Sequence, residues 1–181
     1  MREYKTQTKD IITTTTFPTP LGEMFAAASK KGIIMLCFFT PFYIEAKIDS
    51  LKKTLNADVM PGNNEILDAL KIQLDEYFNK KRENFEIPLQ LIGTSFQVNC
   101  WKELLKIPYA KTISYKEQAQ NINHEKAYRA VANANSQNMI AIIVPCHRVI
   151  ASNGKLSGYN GGVDKKEFLL KLENMSVKIN D

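Results

Sequence analysis

The chain has 181 residues, 44% of them apolar, and a formal net charge of +5, enough to bury a core as one compact unit or two small ones. Its three cysteines (Cys37, Cys100, Cys146) are far apart and form no CxxC pair, and it has only two histidines, His124 and His147; this argues against a disulfide framework or a zinc site and for a reducing compartment. No run approaches the roughly 18 apolar residues of a membrane span, and the opening MREYKTQTKD lacks the apolar core of a secretory signal.

The first half opens β-rich. Ile11 to Phe17 is Thr-rich and β-prone, Pro18-Thr19-Pro20-Leu21-Gly22 signals a turn, and Met24–Ala28 and Ile33–Phe39 read as paired strands joined at Lys30-Lys31-Gly32. Asn64 to Asn79 has helical spacing, with Ile66, Leu67, Leu70, Ile72, Leu74, Tyr77 and Phe78 as its apolar stripe. After the charged piece Lys80-Lys81-Arg82-Glu83-Asn84 a domain boundary is expected near Gly93, dividing the chain into residues 1–93 and 94–181.

The second half reads as mostly helical. Thr94 is an N-cap candidate for a helix whose face carries Phe96, Val98, Trp101, Leu104 and Leu105, ending at Pro108. Ser114 is placed to cap a short helix through Ala119, Asn121–Asn123 makes a turn, and Glu125 to about Asn135 is rich in small residues and compatible with a second helix. Two short helices joined by a tight turn fit a helix-turn-helix. Met139 to Val144 is an apolar run that reads as a buried strand, with Cys146 at its end, and Ala151-Ser152-Asn153-Gly154 is a turn. Gly158, Gly161 and Gly162 frame Tyr159 and Asn160, and a last helix spans Val163–Glu173. The positive charge is confined to this half: residues 1–93 carry 12 Lys+Arg against 12 Asp+Glu, and residues 94–181 carry 12 against 7. A polyanion selects such a half, although a solvated Lys-rich surface has the same composition.

Pro145-Cys146-His147-Arg148-Val149 concentrates the chemistry. A free thiol titrates near pH 8.5, so a nucleophilic cysteine needs a base. Adjacent residues on a strand point to opposite faces, so contact between Cys146 and His147 needs a turn at Pro145 or a bridging water. The imidazole in turn needs an acid, and the last helix offers Glu167 and Glu173, between which spacing does not choose. An isolated Cys-His pair also fits a buried small hydrophobe beside a capped polar residue.

Residues 94–173 resemble the catalytic domain of the O6-alkylguanine-DNA alkyltransferases, the methylated-DNA–protein-cysteine methyltransferases. The matching pieces are Phe96-Gln97 with Trp101, Ile113-Ser114-Tyr115, Arg129-Ala130-Val131, Pro145-Cys146-His147-Arg148-Val149, Gly158-Tyr159 with Gly161-Gly162, Lys166-Glu167, and Leu169-Leu170 before Glu173. Phe17 to Gly22 resembles the family's amino-terminal entry. The resemblance implies an α+β chain: a ribonuclease-H-like β-rich domain over 1–93 and a winged helix-turn-helix catalytic domain over 94–181. It implies Cys146 as alkyl acceptor, His147 as base through a water with Glu173 behind it, Tyr115 as donor to the leaving guanine, and Asn138 as brace of the loop before Cys146. Arg129 would be the finger filling the gap left by the flipped nucleotide. Ala127, Ala130 and Ala134 would let the recognition helix approach a minor groove, with Tyr115 also meeting DNA. The backbones of Cys146 and Val149, with Tyr159 and Asn160, would hold the base.

The implied partner is double-stranded DNA carrying O6-alkylguanine, with O4-alkylthymine left open, and the implied protein is a monomer, cytoplasmic or, in a eukaryote, nuclear. No cofactor and no metal are implied: the zinc of some relatives needs Cys and His in the first domain, where Cys37 stands alone. Departures from the pattern are Ala132-Asn133 where Gly is usual, Met139 where Pro is usual, and Asn160 where some relatives have Ser. An alkyltransferase-like protein that flags lesions without repair is the alternative, and Cys146 argues against it because such proteins typically carry Trp there. A Cys-His hydrolase would need an oxyanion hole that nothing in the sequence specifies.

Overall fold

The computed structural model describes residues 9–173. β1 (Asp10–Thr19), β2 (Gly22–Ser29) and β3 (Gly32–Phe38) form an antiparallel meander, and β4 (Ala57–Pro61) adds to β1 in parallel. The resulting sheet has the order β3-β2-β1-β4. Thr19 closes the first turn, its hydroxyl donating to the Gly22 carbonyl and accepting from the Leu21 amide. β2 and β3 are apolar almost throughout because both faces of the sheet are covered. Met24, Ala26 and Ala28 share a core with α2 (Glu65–Phe78), whereas Phe25 and Ala27 share one with α1 (Pro41–Leu55). A bulge opposite Ala27/Ala28 shifts the register of β3, so Ile34 and Met35 both join the α1 side while Ile33 and Leu36 stay with α2.

α1 and β4 lie where no periodicity stands out. α1 fully buries only Ile44 and Leu51, its N-cap Thr40 makes no side-chain bond, and its Phe42 is 88% exposed. α2 follows its pattern more closely, capped by the Asn64 side chain at the Leu67 amide. Its Ile72 departs from the expected stripe and is 61% exposed.

The second half comprises α3 (Ser95–Leu104), α4 (Tyr115–Asn121), α5 (Tyr128–Ser136) and α6 (Val163–Leu172), with a short parallel pair of strands, β5 (Ile113–Ser114) and β6 (Val149–Ile150). Thr94/Gln97 and Ser114/Glu117 are reciprocal capping boxes, so both expected N-caps start their helices. α5 begins at Tyr128, three residues later than the composition suggests. The helix-turn-helix pair α4–α5 is locked by a buried polar knot: Gln118 and Asn135 exchange two hydrogen bonds, and Gln118 also donates to the Cys100 carbonyl. Trp101 donates its indole N–H to the Ala134 carbonyl at 2.8 Å, fastening α5 to α3.

The halves meet at the outer edge of β3. The Ile33 amide donates to the Pro88 carbonyl and its carbonyl accepts from Gln90, while Leu36 makes the same kind of pair with Met139 and Ala141. Two separate segments therefore cover an edge that would otherwise be an open template for pairing. One core runs across the junction, with Met24, Leu36 and Tyr77 in the same cluster as Trp101, Val131, Val144 and Cys146. Among the described residues no helix is long and apolar enough to cross a membrane.

Docking of residues 88–90 on β3 depends on Gly32. Its φ is +144°, and a Cβ there would stand 2.3 Å from the Pro88 carbonyl oxygen, a backbone atom. Gly32→Ala is expected to cost about 2–4 kcal/mol through strain and the displaced linker. Urea unfolding followed by Trp101 fluorescence checks this, and an unchanged midpoint would contradict it.

Candidate active site

Cys146 does not end a strand. Ile140 makes a single bridge to Leu36, residues 141–144 turn, and Ile142 has a positive φ of 69°. Cys146–Arg148 then form one turn of 3-10 helix. An apolar run looks the same in sequence whether it is a buried strand or a buried turn, and here the turn wins because its backbone bonds are local: Val144 donates to Ile140, and Cys146 to Val144. The turn is braced by Asn138. Its Nδ2 donates to the Val144 carbonyl at 2.9 Å and to Cys146 Sγ at 3.3 Å, and its Oδ1 accepts from the Ile140 amide.

Cys146 is 8% exposed, at the floor of a cleft of about 530 Å³ built from both halves. Leu21, Phe38 and Tyr43 line it from the first half, Asn138, Tyr159 and Asn160 from the second. Burial pushes the Cys146 thiol above its ordinary range, while the Asn138 hydrogen bond and the Lys166 charge work against that shift.

Behind Cys146 lies a buried polar chain. His147 Nε2 is 2.9 Å from Glu173 Oε1, and both side chains are fully buried. Burial pushes the Glu173 carboxyl up, but hydrogen bonds from His147 and Arg148, with the Arg148 charge, outweigh it and hold the group at about 2. Glu173 is therefore an acceptor only, which places the hydrogen on His147 Nε2 and leaves Nδ1 with its lone pair. Burial also pushes His147 below its ordinary value, with Glu173 opposing, so the resting imidazole is neutral. Nδ1 has no hydrogen-bond partner among the described residues. Of the two acids on the last helix, Glu173 reaches the imidazole, whereas Glu167 pairs with Lys171 one turn along.

Lys166 places a buried charge near Cys146. It is fully buried, and its ammonium donates to the Val149 carbonyl at 2.6 Å and the Ser157 carbonyl at 3.3 Å. Burial lowers it to about 8, against the pull of Cys146. The Val149 amide is engaged as well, donating to the Cys146 carbonyl. Tyr115, the first residue of α4, is half-buried, and its hydroxyl accepts from Ser157 Oγ at 3.0 Å, leaving its own hydrogen to donate. Tyr159 stands edge-on to Phe38 at 6.3 Å, a contact that Gly161 permits: a Cβ at 161 would lie 2.4 Å from the Phe38 ring. Asn160 is exposed, and its amide reaches the Tyr43 hydroxyl at 3.3 Å.

The expected DNA-facing residues lie apart from this cluster, on α5. Arg129 and Ala130 are exposed, and Ala127 is partly so at the N-cap position. Ala134 requires a correction: it is 2% exposed and packs inward beneath Trp101. Helical spacing puts it on the face of Val131 and Asn135, and the outward stripe runs through Arg129, Ala130 and Asn133 instead.

These features define a helix-turn-helix protein with a buried thiol beside a buried histidine–carboxylate pair. Residues 12–91 match the family model of the 6-O-methylguanine DNA methyltransferase ribonuclease-like domain, and residues 95–175 that of its DNA-binding domain. A methylated-DNA–protein-cysteine methyltransferase of Methanosarcina barkeri is 43% identical over 160 residues, covering 88% of this chain and 96% of the relative. The crystal structure of Mycobacterium tuberculosis OGT in complex with DNA superposes with a TM-score of 0.74 at 37% identity, covering 90% of this chain and 92% of that one. The O6-methylguanine-DNA methyltransferase of Pyrococcus kodakaraensis shares the fold at 22% identity, with a TM-score of 0.63 over 90% of this chain and 98% of that one. The chain belongs to the methylated-DNA–protein-cysteine methyltransferase family.

The buried pair makes the fold acid-labile. Glu173 titrates lower folded than unfolded, so its contribution is present above the ordinary carboxylate range and is lost as pH falls toward about 2. His147 is held neutral in the fold and takes up a proton on unfolding, so stability begins to drop below about pH 6.5. Glu173→Gln is expected to cost about 3 kcal/mol at neutral pH by stranding Arg148. Between pH 6.5 and 3 it removes the part of the loss that the carboxylate itself causes, below its ordinary value of 4.5, and deepens the part due to His147, whose imidazolium it no longer stabilises. Urea unfolding across that range tests it; parallel pH slopes for the two proteins would refute the assignment.

Proposed function

We infer that the protein is a DNA repair methyltransferase that moves an alkyl group from O6 of guanine in duplex DNA onto its own Cys146. The observation that carries this reading is the buried His147–Glu173 pair, whose histidine follows a buried thiol in the 3-10 turn, on the same half as an exposed helix-turn-helix.

A lesion inside the base stack hides its O6 substituent, so the nucleotide is flipped into the cleft, at a cost of a few kcal/mol. Arg129 fills the gap it leaves, and the small outer residues of α5, Ala130 with Ala127 at its start, let the helix lie close in a minor groove. Within the cleft the ring of Tyr159, the Asn160 loop and the carbonyls of Cys146 and Val149 hold the base. The resting thiol is protonated, so its proton leaves as the attack proceeds, through a bridging water to His147 Nδ1. The sulfur electron pair forms a bond to the alkyl carbon, the carbon–O6 bond breaks, and the guanine takes up one proton, with Tyr115 donating to it as it leaves. The products are a thioether on Cys146 and an unmodified guanine. A thioether has no ready route back to a thiol, so each molecule reacts once.

Lys and Arg outnumber Asp and Glu only in residues 94–181, which suits phosphate neutralisation by that half. We assign residues 94–181 to catalysis and DNA binding and residues 1–93 to a supporting domain that also walls the cleft. The protein acts as a monomer, wherever the DNA lies: the cytoplasm or, in a eukaryotic cell, the nucleus. The lesion-flagging alternative is disfavoured by a reactive residue at position 146 with a base chain behind it.

Incubation with O6-methylguanine duplex and intact-mass analysis is expected to add one methyl group, mapped to Cys146; unmodified protein that still binds the lesion would favour lesion flagging. Arg129→Ala is expected to slow repair of duplex DNA about tenfold or more while sparing reaction with free O6-benzylguanine. Equal losses on both substrates would remove the finger role.

A further inference from the structure

Tyr77 sits on α2, in the half that carries none of the residues assigned to transfer above. Its ring is fully buried among Phe78, Phe85 and Tyr109, at centroid distances of 5.6, 5.4 and 6.2 Å. A phenylalanine would fill this aromatic nest equally well, so the hydroxyl is what needs an explanation. It lies 2.7 Å from Glu173 Oε1, the same oxygen that accepts from His147 Nε2. Because the carboxylate only accepts, Tyr77 is the donor. Burial first, and then the Glu173 charge, keep its phenol protonated and able to donate.

Glu173 does not require this bond to be satisfied. Arg148 reaches both carboxylate oxygens, with Nε at 3.0 Å from Oε2 and Nη2 at 3.0 Å from Oε1, and the Ala110 amide donates to Oε2 at 3.1 Å. A second neutral donor on Oε1 draws charge from the oxygen that holds the imidazole. It also fixes the carboxylate against rotation.

We propose that Tyr77 is a positioning residue for the transfer reaction: through Glu173 it sets the orientation and basicity of His147, and so makes the first half a participant in the chemistry. The proposal rests on the alkyl-transfer reading for its kinetic consequence and on geometry alone for its effect on His147. The other groups facing Glu173 are Arg148 and Tyr109, and those facing His147 are Arg148 and Lys166. None of these stands on α2.

The test compares wild type, Tyr77→Phe and Tyr109→Phe. Tyr109 belongs to the same nest, but among the described residues its hydroxyl reaches only the Leu172 carbonyl, at 3.5 Å. It therefore controls for loss of a hydroxyl without loss of a donor to Glu173. Titration of His147 by NMR is expected to show its pKa raised in Tyr77→Phe and unmoved in Tyr109→Phe, because a carboxylate freed of one donor stabilises the imidazolium more. Methyl transfer from O6-methylguanine duplex is expected to slow severalfold near neutral pH in Tyr77→Phe, with the acid limb of its rate profile moved to higher pH. A His147 titration unchanged by Tyr77→Phe would overturn the proposal whatever the transfer rate. So would a rate loss that is uniform across pH or shared by Tyr109→Phe, since either marks a packing effect. Failure of the wild type to transfer would instead refute the reading of Cys146 and leave the NMR comparison to decide the coupling.

Discussion

A charge taken out of water must be met on every side, and in this protein that charge is the Glu173 carboxylate. It is fully buried one residue past α6, and donors reach it from α2, from the loop at Ala110, and from His147 and Arg148 of the 3-10 turn. Burying a carboxylate without such partners would cost several kcal/mol. The need to satisfy it therefore brings together pieces of chain about a hundred residues apart. Arg148 performs a second task with the same side chain, donating to the Ile107 carbonyl at 2.7 Å and tying the end of α3 into the same knot. The carboxylate also dictates the imidazole tautomer, so one electrostatic requirement fixes both the shape of the site and the direction in which its base points.

The second constraint is the outer edge of β3. Leu36 pairs through its backbone with Met139 and Ala141, which sets the height of the turn carrying Cys146 against the sheet. The same strand sends Cys37 and Phe38 to the cleft wall. Burial pushes the Cys37 thiol up to about 12, so this second cysteine on the cleft wall stays protonated. The first half is thus bound to the site in two places, at the mouth through β3 and α1 and at the back through Tyr77.

Local signals were legible in proportion to how local their causes were. Thr94 and Ser114 announce their helices because each capping box is closed within four residues. The meander was legible for the same reason. The turn at 141–144 was not, since its apolar residues are buried on all sides and carry no period. α1 escaped because only one narrow strip of it meets the sheet. Ala134 was misassigned by composition: small residues suit a groove and a tight helix packing equally well, and only the 3.6-residue spacing from Val131 separates the two. The choice between Glu167 and Glu173 needed either a family resemblance or a fold. Lys166 had a signal that went unused. Lys166 shares its helical face with Leu169, Leu170 and Glu173, and a lysine on the apolar face of a helix announces a buried charge. Tyr77 was counted as packing because the sequence does not show where its hydroxyl points.

The state of the resting thiol is where burial and chemistry meet. Thiolates, not thiols, are the species that oxidants and adventitious alkylating agents consume. A cysteine that works once must not be spent before it meets its substrate. Cys146 is held in the protonated form by burial, with the stabilisers of the charged form, Asn138 Nδ2 and the Lys166 ammonium, already in place but outweighed. In the transfer we propose, a neutral His147 takes the proton, so the charge on sulfur need develop only as the alkyl carbon is attacked. A site that kept Cys146 ionised at rest would be faster toward any electrophile and less selective among them. Low resting reactivity and a base held ready by Glu173 are, on this account, two results of the same desolvation.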